Sequence, residues 1–278
     1  MSDNFKLQIA KFKKIVDKEL DKYLPKQGKL ARAMRYSVFA GGKRFRPILC
    51  LATAKALGGS EKKVLPFACA VELAHTFTLI HDDLPAMDNA DFRRGRPACH
   101  KVFGEAMAIL AGDALNTLAF NIVSNNPEVS RELSEALLRV VDGQVSDLAT
   151  EKKKWSIEQL VAIHRNKTAA LLKACVRGAA IICRASLREI KALTSYAEHL
   201  GLAFQIADDI LDVTATRKQL GKPVRADVEK GFPYVVGLEK SKKLAKQEKQ
   251  RAARALKIFG KRAALLRWIA EYVVEREK

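Results

Sequence analysis

The stretch that decides the fold is VLPFACAVELAHTFTLIHDDLPAMD, residues 64–88. Its first twenty residues are apolar almost all round, interrupted by Glu72, His75 and His81. A helix without a polar face belongs in a core. This one ends in three carboxylates, Asp82, Asp83 and Asp88, with Pro85 between them to end or bend it. Acidic groups at a helix C-terminus face the negative end of the macrodipole, and crowding them adds the mutual repulsion that raises their pKa values. A divalent cation removes both penalties. Hard oxygen donors with no accompanying His or Cys pair suit Mg²⁺, which keeps several waters and commonly bridges to substrate phosphates. Asp82 and Asp88 would lie on different faces of a regular helix, so an interruption at Pro85 is needed to bring them together.

A second acidic cluster follows at Asp208, Asp209 and Asp212. Asp208 and Asp212 are four apart and share a helix face, with Asp209 alongside. Residues 201–207 before them are mostly apolar, which puts these carboxylates at a core boundary. One such cluster is weak, because acidic helix ends are common. Two in one strongly basic chain point to a metal–diphosphate enzyme.

The totals narrow the field. The chain has 278 residues, 48% of them hydrophobic and only 7% aromatic. Leu, Ala, Lys, Glu and Arg dominate and β-branched alternation is hard to find, which predicts an all-α protein. The net charge of +19, from 50 Lys and Arg against 31 Asp and Glu, fits nucleic acid, an anionic membrane surface, small polyanions or mere solubility. The dense basic stretch at residues 240–267 alternates with Leu, Ala and Ile at helical spacing and reads as a solvated helix face. With few aromatics among these charges, no base-stacking platform is expected, and no nucleic-acid or membrane partner. The five cysteines form no CxxC pair and read as buried, reduced thiols. No signal-peptide core and no uncharged run of membrane-span length is read, so the expectation is a cytoplasmic protein.

Helical text covers most of the chain. Phe5, Ile9, Phe12, Val16 and Leu20 mark an amphipathic helix stopped near Pro25. A second helix spans residues 29–40 up to Gly41 and Gly42, and Pro47 is placed to open a third that runs to Gly58. Further helices are read at 105–123, stopped at Pro127, at 130–148, from a Ser156–Gln159 capping box, and at 187–212. Residues 214–231 read as a flexible stretch, and helices fill the rest. With no repeat and no composition break, residues 1–278 are expected to form one domain.

Other residues are ambiguous one at a time. His75, two turns before Asp82, is by itself a hydrogen-bonded core histidine. Lys43, Arg46, Arg93 and Arg94 are by themselves solvated loop charges, although an Arg pair just after an acidic motif is well placed to grip phosphate oxygens. Lys167 and Thr168 say nothing alone.

Taken together, the run from Gly41 to Pro47, the Asp82–Asp88 motif with Arg93, Arg94 and Gly95, the Lys167–Thr168 pair and the run from Phe204 to Asp212 resemble the trans-polyprenyl diphosphate synthases in order and spacing. The likeness covers residues 29–238 and is nearest to the bacterial farnesyl-forming members. The resemblance implies an all-helical isoprenoid-synthase bundle around a deep central cavity, a homodimer, and three Mg²⁺ ions (or Mn²⁺) between the acidic motifs. It implies that Asp82, Asp83, Asp88 and Asp208 hold the metals, with Asp209 and Asp212 in direct or water-mediated support. Arg93, Lys167, Thr168, Gln205 and Lys222 would contact the allylic diphosphate, and Lys43, Arg46, His75 and Arg94 would hold isopentenyl diphosphate. Gln144 and Asp147 match a further cavity-facing segment. The implied catalytic set is Asp82, Asp83, Asp88, Arg93, Lys167 and Asp208.

Phe77, five residues before Asp82, and Thr78, four before it, set the expected product length. One turn into the cavity, an aromatic ring would block the growing chain and leave a fifteen-carbon product, farnesyl diphosphate. The runner-up is the twenty-carbon geranylgeranyl product. Two departures from the family pattern stand out: Ala90 replaces a frequent acidic residue, and the loop after Asp227 is shorter, with Lys230 falling early. A terpene cyclase is disfavoured by Lys43 with Arg46, and a nucleic-acid-binding protein leaves both acidic clusters unexplained.

Overall fold

The apolar stretch folds as a helix, Glu61–Asp82, in a computed structural model that describes residues 2–149, 155–214 and 231–276. The chain divides into two compact units, Met1–Leu51 with Glu61–Ser130, and Ala52–Ser60 with Arg131–Lys278. Among the described residues the regular structure is helical except for one two-stranded hairpin, so the fold class is all-α as expected.

The first unit holds α1 (Ser2–Tyr23), α2 (Lys29–Val38), the start of α3 (Phe45–Leu57), α4 (Glu61–Asp82), β1 (Phe92–Arg93), β2 (Arg96–Pro97), α5 (Cys99–Phe103) and α6 (Glu105–Val123). Helix α4 lies at its centre against α1, α2 and α6, which is why its sequence has no polar face. Phe12, Val16 and Leu20 form the buried seam of α1 at four-residue steps. Burying each such side chain contributes about 1.5–3 kcal/mol.

The charged residue in the middle of α4 has a partner. Glu72 is 1% exposed and accepts from Arg44 Nη1 at 2.9 Å. Arg44, itself 3% exposed, also donates to Asp17 Oδ1 at 2.7 Å and to the Val38 carbonyl at 2.7 Å. One guanidinium thereby ties α1, the end of α2 and α4 together. A buried arginine is tolerated where its fork donors all find acceptors.

The second unit contains most of α7 (Pro127–Ala149), α8 (Ile157–His164), a π-helical turn (Arg165–Ala169), α9 (Ala170–Ile182), α10 (Leu187–Thr214), α11 (Phe232–Val236), α12 (Leu238–Ala255), a 3₁₀ segment (Leu256–Ala263) and α13 (Ala264–Glu275). Helix α10 is its centre, against α9, α12 and α13. Tyr196 on α10 is fully buried and donates its hydroxyl to the Leu266 carbonyl at 2.8 Å. The basic helix α12 buries Ser241, Ala245, Glu248 and Ala252 at helical spacing and turns its many lysines to solvent, as its sequence predicts.

Boundaries follow the local signals with two instructive differences. Helix α6 has the expected limits, and Ser156 and Gln159 form the expected capping box, with Gln159 N donating to Ser156 Oγ at 3.2 Å and Ser156 N to Gln159 Oε1 at 3.0 Å. Pro127, expected to stop a helix, instead starts one. Asn126 Oδ1 accepts from Val129 N at 3.2 Å, and a proline at the first helical position gives up an N–H that has no helical partner anyway. Pro47 is the third residue of α3 rather than the first.

By length and composition alone, α4 and α6 are apolar enough to cross a membrane, although Glu72 and Asp113 interrupt them, so neither is an uncharged run of that length. Burial in the core of its unit accounts for α4. Helix α6 buries Ala108, Ala111, Leu115 and Ala119 but exposes Ile109 and Leu110. On α7, Leu138, Val141 and Val145 are likewise exposed, at 66%, 52% and 61%. Lys222, Asp227 and Lys230 lie outside the described residues.

Candidate active site

In the first unit the chain turns back on itself directly after α4. Asp88 N donates to the Asp82 carbonyl at 2.8 Å, and Asn89 N to the Leu84 carbonyl at 3.0 Å. Residues six apart in sequence thus become neighbours, which is what the interruption at Pro85 was expected to achieve. The next backbone reversal is the hairpin. Arg93 pairs with Arg96, and the two turn residues Arg94 and Gly95 have φ of +54° and +74°. Two positive φ values in a two-residue loop match the twist of paired strands. The loop sends its two arginines to different places.

Arg93 meets Asp83. Its Nε lies 2.9 and 3.1 Å from the two carboxylate oxygens, and Nη2 also bonds Oδ1. Asp83 is 2% exposed, and burial pushes its carboxyl above the ordinary range while Arg93 pulls it back. Arg94 instead donates to the Gly41 carbonyl at 2.9 Å and lies flat against Gly42, where an added Cβ would sit 2.7 Å from the guanidinium carbon. Gly42, with φ of +107°, is required there twice over, by its backbone and by the arginine.

Beside this, Arg46 Nη1 lies 3.0 Å from His75 Nε2. A guanidinium has only donors, so that ring nitrogen must carry the lone pair and the imidazole must be neutral. Burial pushes His75 well below the usual histidine range, and Arg46, Arg94, Arg93 and Arg44 push the same way. Arg46 is thus bonded to a neutral histidine, with Arg94 contributing positive charge near the same ring. Lys43 is exposed nearby in sequence. Thr78 turns its hydroxyl back to the His75 carbonyl at 2.9 Å, and Phe77 packs edge-on against His81 with ring centroids 5.8 Å apart.

The neutral histidine has a pH consequence. Unfolded, His75 takes up a proton near pH 6.5, and folded it does not, so the unfolded state binds more protons as pH falls below that value. Its contribution is complete above the unfolded pKa and is lost on acidification, at no more than about 1.4 kcal/mol per pH unit. Melting temperatures taken between about pH 7 and pH 5 should fall further for the wild type than for His75→Gln. Equal falls would mean that His75 titrates normally.

In the second unit α10 delivers the other acidic cluster. Asp208 accepts from Arg276 Nη2 at 2.5 Å, and the Arg276 guanidinium lies 4.1 Å from the centre of the Phe204 ring. Asp209 is committed inward: its carboxylate accepts from Phe232 N at 2.9 Å and from Gln205 Nε2 at 3.0 Å, with His164 Nε2 at 3.6 Å. Asp212 is exposed. Lys167 donates to Asp147 Oδ2 at 2.7 Å, and Thr168 Oγ1 to Gln205 Oε1 at 2.9 Å. Both polar atoms of the Gln144 side chain are buried without a hydrogen-bond partner among the described residues.

The donor set is hard oxygen throughout, which fits Mg²⁺ and not a soft metal. Among the described residues no three His, Cys, Asp or Glu side chains gather into a ready cage. Few protein ligands, completed by waters and phosphate oxygens, is the usual arrangement for this ion. Arg276, Glu72 as the partner of Arg44, and the pairing of Asp147 with Lys167 were not foreseen from sequence. The i to i+4 spacing of Gly143 to Asp147 and of Gly201 to Gln205 was visible, but not what it faces.

Comparisons with known proteins identify the family. Residues 27–273 match the Polyprenyl synthetase family. The chain is 42% identical over 283 residues to the farnesyl diphosphate synthase of Geobacillus stearothermophilus, covering 95% of each. It is also 42% identical over 294 residues to geranylgeranyl pyrophosphate synthase 3 of Arabidopsis thaliana, covering 98% of this chain and 82% of the other. The crystal structure of the geranylgeranyl pyrophosphate synthetase of Pyrococcus horikoshii superposes with a TM-score of 0.92 at 31% identity, over 99% of both chains. A match that spans nearly the whole length, at this identity and with this superposition, means that the chain belongs to the polyprenyl synthetase family and is a prenyltransferase.

Proposed function

We propose that this enzyme joins isopentenyl diphosphate head-to-tail to dimethylallyl and then geranyl diphosphate, releasing diphosphate and forming farnesyl diphosphate in the cytoplasm. The observation that carries the reading is the presence of two sets of hydrogen-bonding side chains, each with at least one cation. Arg46, His75 and Arg94 make one, and Lys167 with Thr168 makes the other, which suits two diphosphate-bearing substrates. We assign the first set, with Lys43, to isopentenyl diphosphate, and the second, with Arg93, to the allylic diphosphate. Lys222 belongs to the second set by resemblance alone.

The family is Mg²⁺-dependent in general, and the carboxylates of Asp82, Asp83, Asp88 and Asp208, supported by Asp209 and Asp212, would hold up to three such ions. Bound there, the metal neutralises charge that develops on the departing diphosphate. The chain's own part is positional. Lys167 and Arg93 stabilise the same leaving group as the allylic carbon–oxygen bond breaks, and the isopentenyl double bond then attacks the allylic cation. The proton lost from the isopentenyl unit goes to the released diphosphate, so the neutral His75 need not act as a base. Water must be kept out until the new bond forms. Both units are proposed to work as one catalytic domain, and the exposed apolar residues of α6 and α7 to be covered in a homodimer.

Phe77 supports the fifteen-carbon product, because it lies more than one turn before Asp82 on the same helix. The equal identity shared with a geranylgeranyl synthase is compatible with a twenty-carbon alternative. Phe77→Ala separates the two. With labelled geranyl diphosphate, the wild type should stop at fifteen carbons and the variant should extend to twenty or more. A wild type that already makes twenty carbons moves the floor elsewhere.

A further inference from the structure

Lys167 and Thr168 sit on the π-helical turn Arg165–Ala169, and α7 and α10 treat that turn in the same way. On α7, Gly143 comes so close that a Cβ there would lie 2.5 Å from Lys167 N and 2.8 Å from its Cα. On α10, a Cβ at Gly201 would lie 2.4 Å from Ala169 Cβ and 2.7 Å from its Cα. Backbone cannot give way as a side-chain tip can, so both glycines are packing notches. Four residues further on, each helix offers one acceptor to the turn: Asp147 to the Lys167 ammonium at 2.7 Å and Gln205 to the Thr168 hydroxyl at 2.9 Å. Residues i and i+4 share a helix face, so each helix presents a notch and an acceptor one turn apart.

The Gln205 amide is occupied at both ends. It accepts from Thr168 and donates to Asp209 Oδ1 at 3.0 Å, and Asp209 in turn accepts from Phe232 N at 2.9 Å. The chain of bonds Thr168–Gln205–Asp209–Phe232 leaves the amide oriented by protein on both sides. Widened turns of this kind are uncommon and recur at functional sites, where the extra residue re-aims side chains.

We propose that Gly143 with Asp147 and Gly201 with Gln205 form a two-sided clamp that holds the widened turn and aims Lys167 and Thr168 at the allylic diphosphate. The four are positioning residues that act through Lys167 and Thr168; Gln205, a diphosphate contact by resemblance, takes this role instead because Thr168 and Asp209 hold both ends of its amide. The proposal rests on the reading above that those two residues meet the allylic diphosphate. In it the Lys167–Asp147 bond fixes the ammonium before substrate arrives, and the glycines set the depth of the turn.

A double-mutant cycle tests it. Asp147→Ala should raise KM for geranyl diphosphate by about tenfold, the scale of one hydrogen bond to a charged group, and leave KM for isopentenyl diphosphate unchanged. Asp147→Asn keeps an acceptor oxygen in place and should recover part of the loss. In a Lys167→Ala background, Asp147→Ala should cost nothing more. An equal loss in that background, or equal rises in both KM values, overturns the proposal. Amide hydrogen exchange of the wild type and Gly143→Ala, without substrate, tests the clamp apart from catalysis. Faster exchange confined to residues 165–169 is expected, and unchanged exchange overturns it. A wild type that condenses no substrates while exchange responds as expected would sink the functional reading and leave the clamp standing.

Discussion

Asp208→Asn should lower kcat/KM for condensation of geranyl and isopentenyl diphosphates by roughly a thousandfold, the upper range for losing one group that stabilises developing charge. The substitution keeps size and shape and removes the anionic oxygen that a hard cation requires. Asp208, although paired with Arg276, is suited to that role because its carboxylate stays partly exposed, whereas Asp209 one residue on is turned inward to Phe232 N and Gln205. Asp209→Asn, which retains one acceptor, should therefore cost less in rate than Asp208→Asn. Steady-state assays at saturating Mg²⁺ decide it. An Asp208→Asn enzyme within tenfold of wild type, or a reversed order of the two variants, would mean that the second motif does not work as proposed.

The largest effect on stability should come from Arg44→Met. Removing the guanidinium leaves Glu72, 1% exposed, without its charge partner in the middle of α4. Breaking a buried pair from one side typically costs about 3–5 kcal/mol. For a chain of this size that corresponds to a drop on the order of ten degrees in Tm. Replacing both partners, Arg44→Met with Glu72→Leu, should recover much of the loss, because no buried charge is then stranded. Urea unfolding followed by circular dichroism measures both. A single variant as stable as wild type would show that Glu72 is satisfied by water or by taking up a proton.

Arg44 also shows where sequence reasoning stops. In the run from Lys43 to Arg46 three cations lie within four residues, and nothing local says which one turns inward. The answer depends on Glu72, 28 residues away, and on Asp17, 27 residues the other way. Local chemistry was legible: the limits of α6, the Ser156 capping box and the return of Asp88 to Asp82 all follow from neighbours in the chain. The hairpin at Arg94 and Gly95 was half legible, since a glycine after an arginine between short flanks is a turn signal, but only the fold shows that it separates Arg93 from Arg94. The widened turn at Arg165–Ala169 has no local sequence mark, and the glycines that approach it lie on two other helices.

The thiols described above have a practical consequence for handling the protein. Cys50, Cys69, Cys99 and Cys175 are buried, and burial pushes the Cys69 and Cys99 thiols further from ionisation. Oxidants and alkylating reagents attack the thiolate at accessible sites, so these four should survive aerobic storage unchanged. Cys183 alone is partly accessible, with its sulfur against Gly59 at the start of the second unit. A maleimide dye should attach there once per chain, giving a fluorescent reporter without removing any native cysteine.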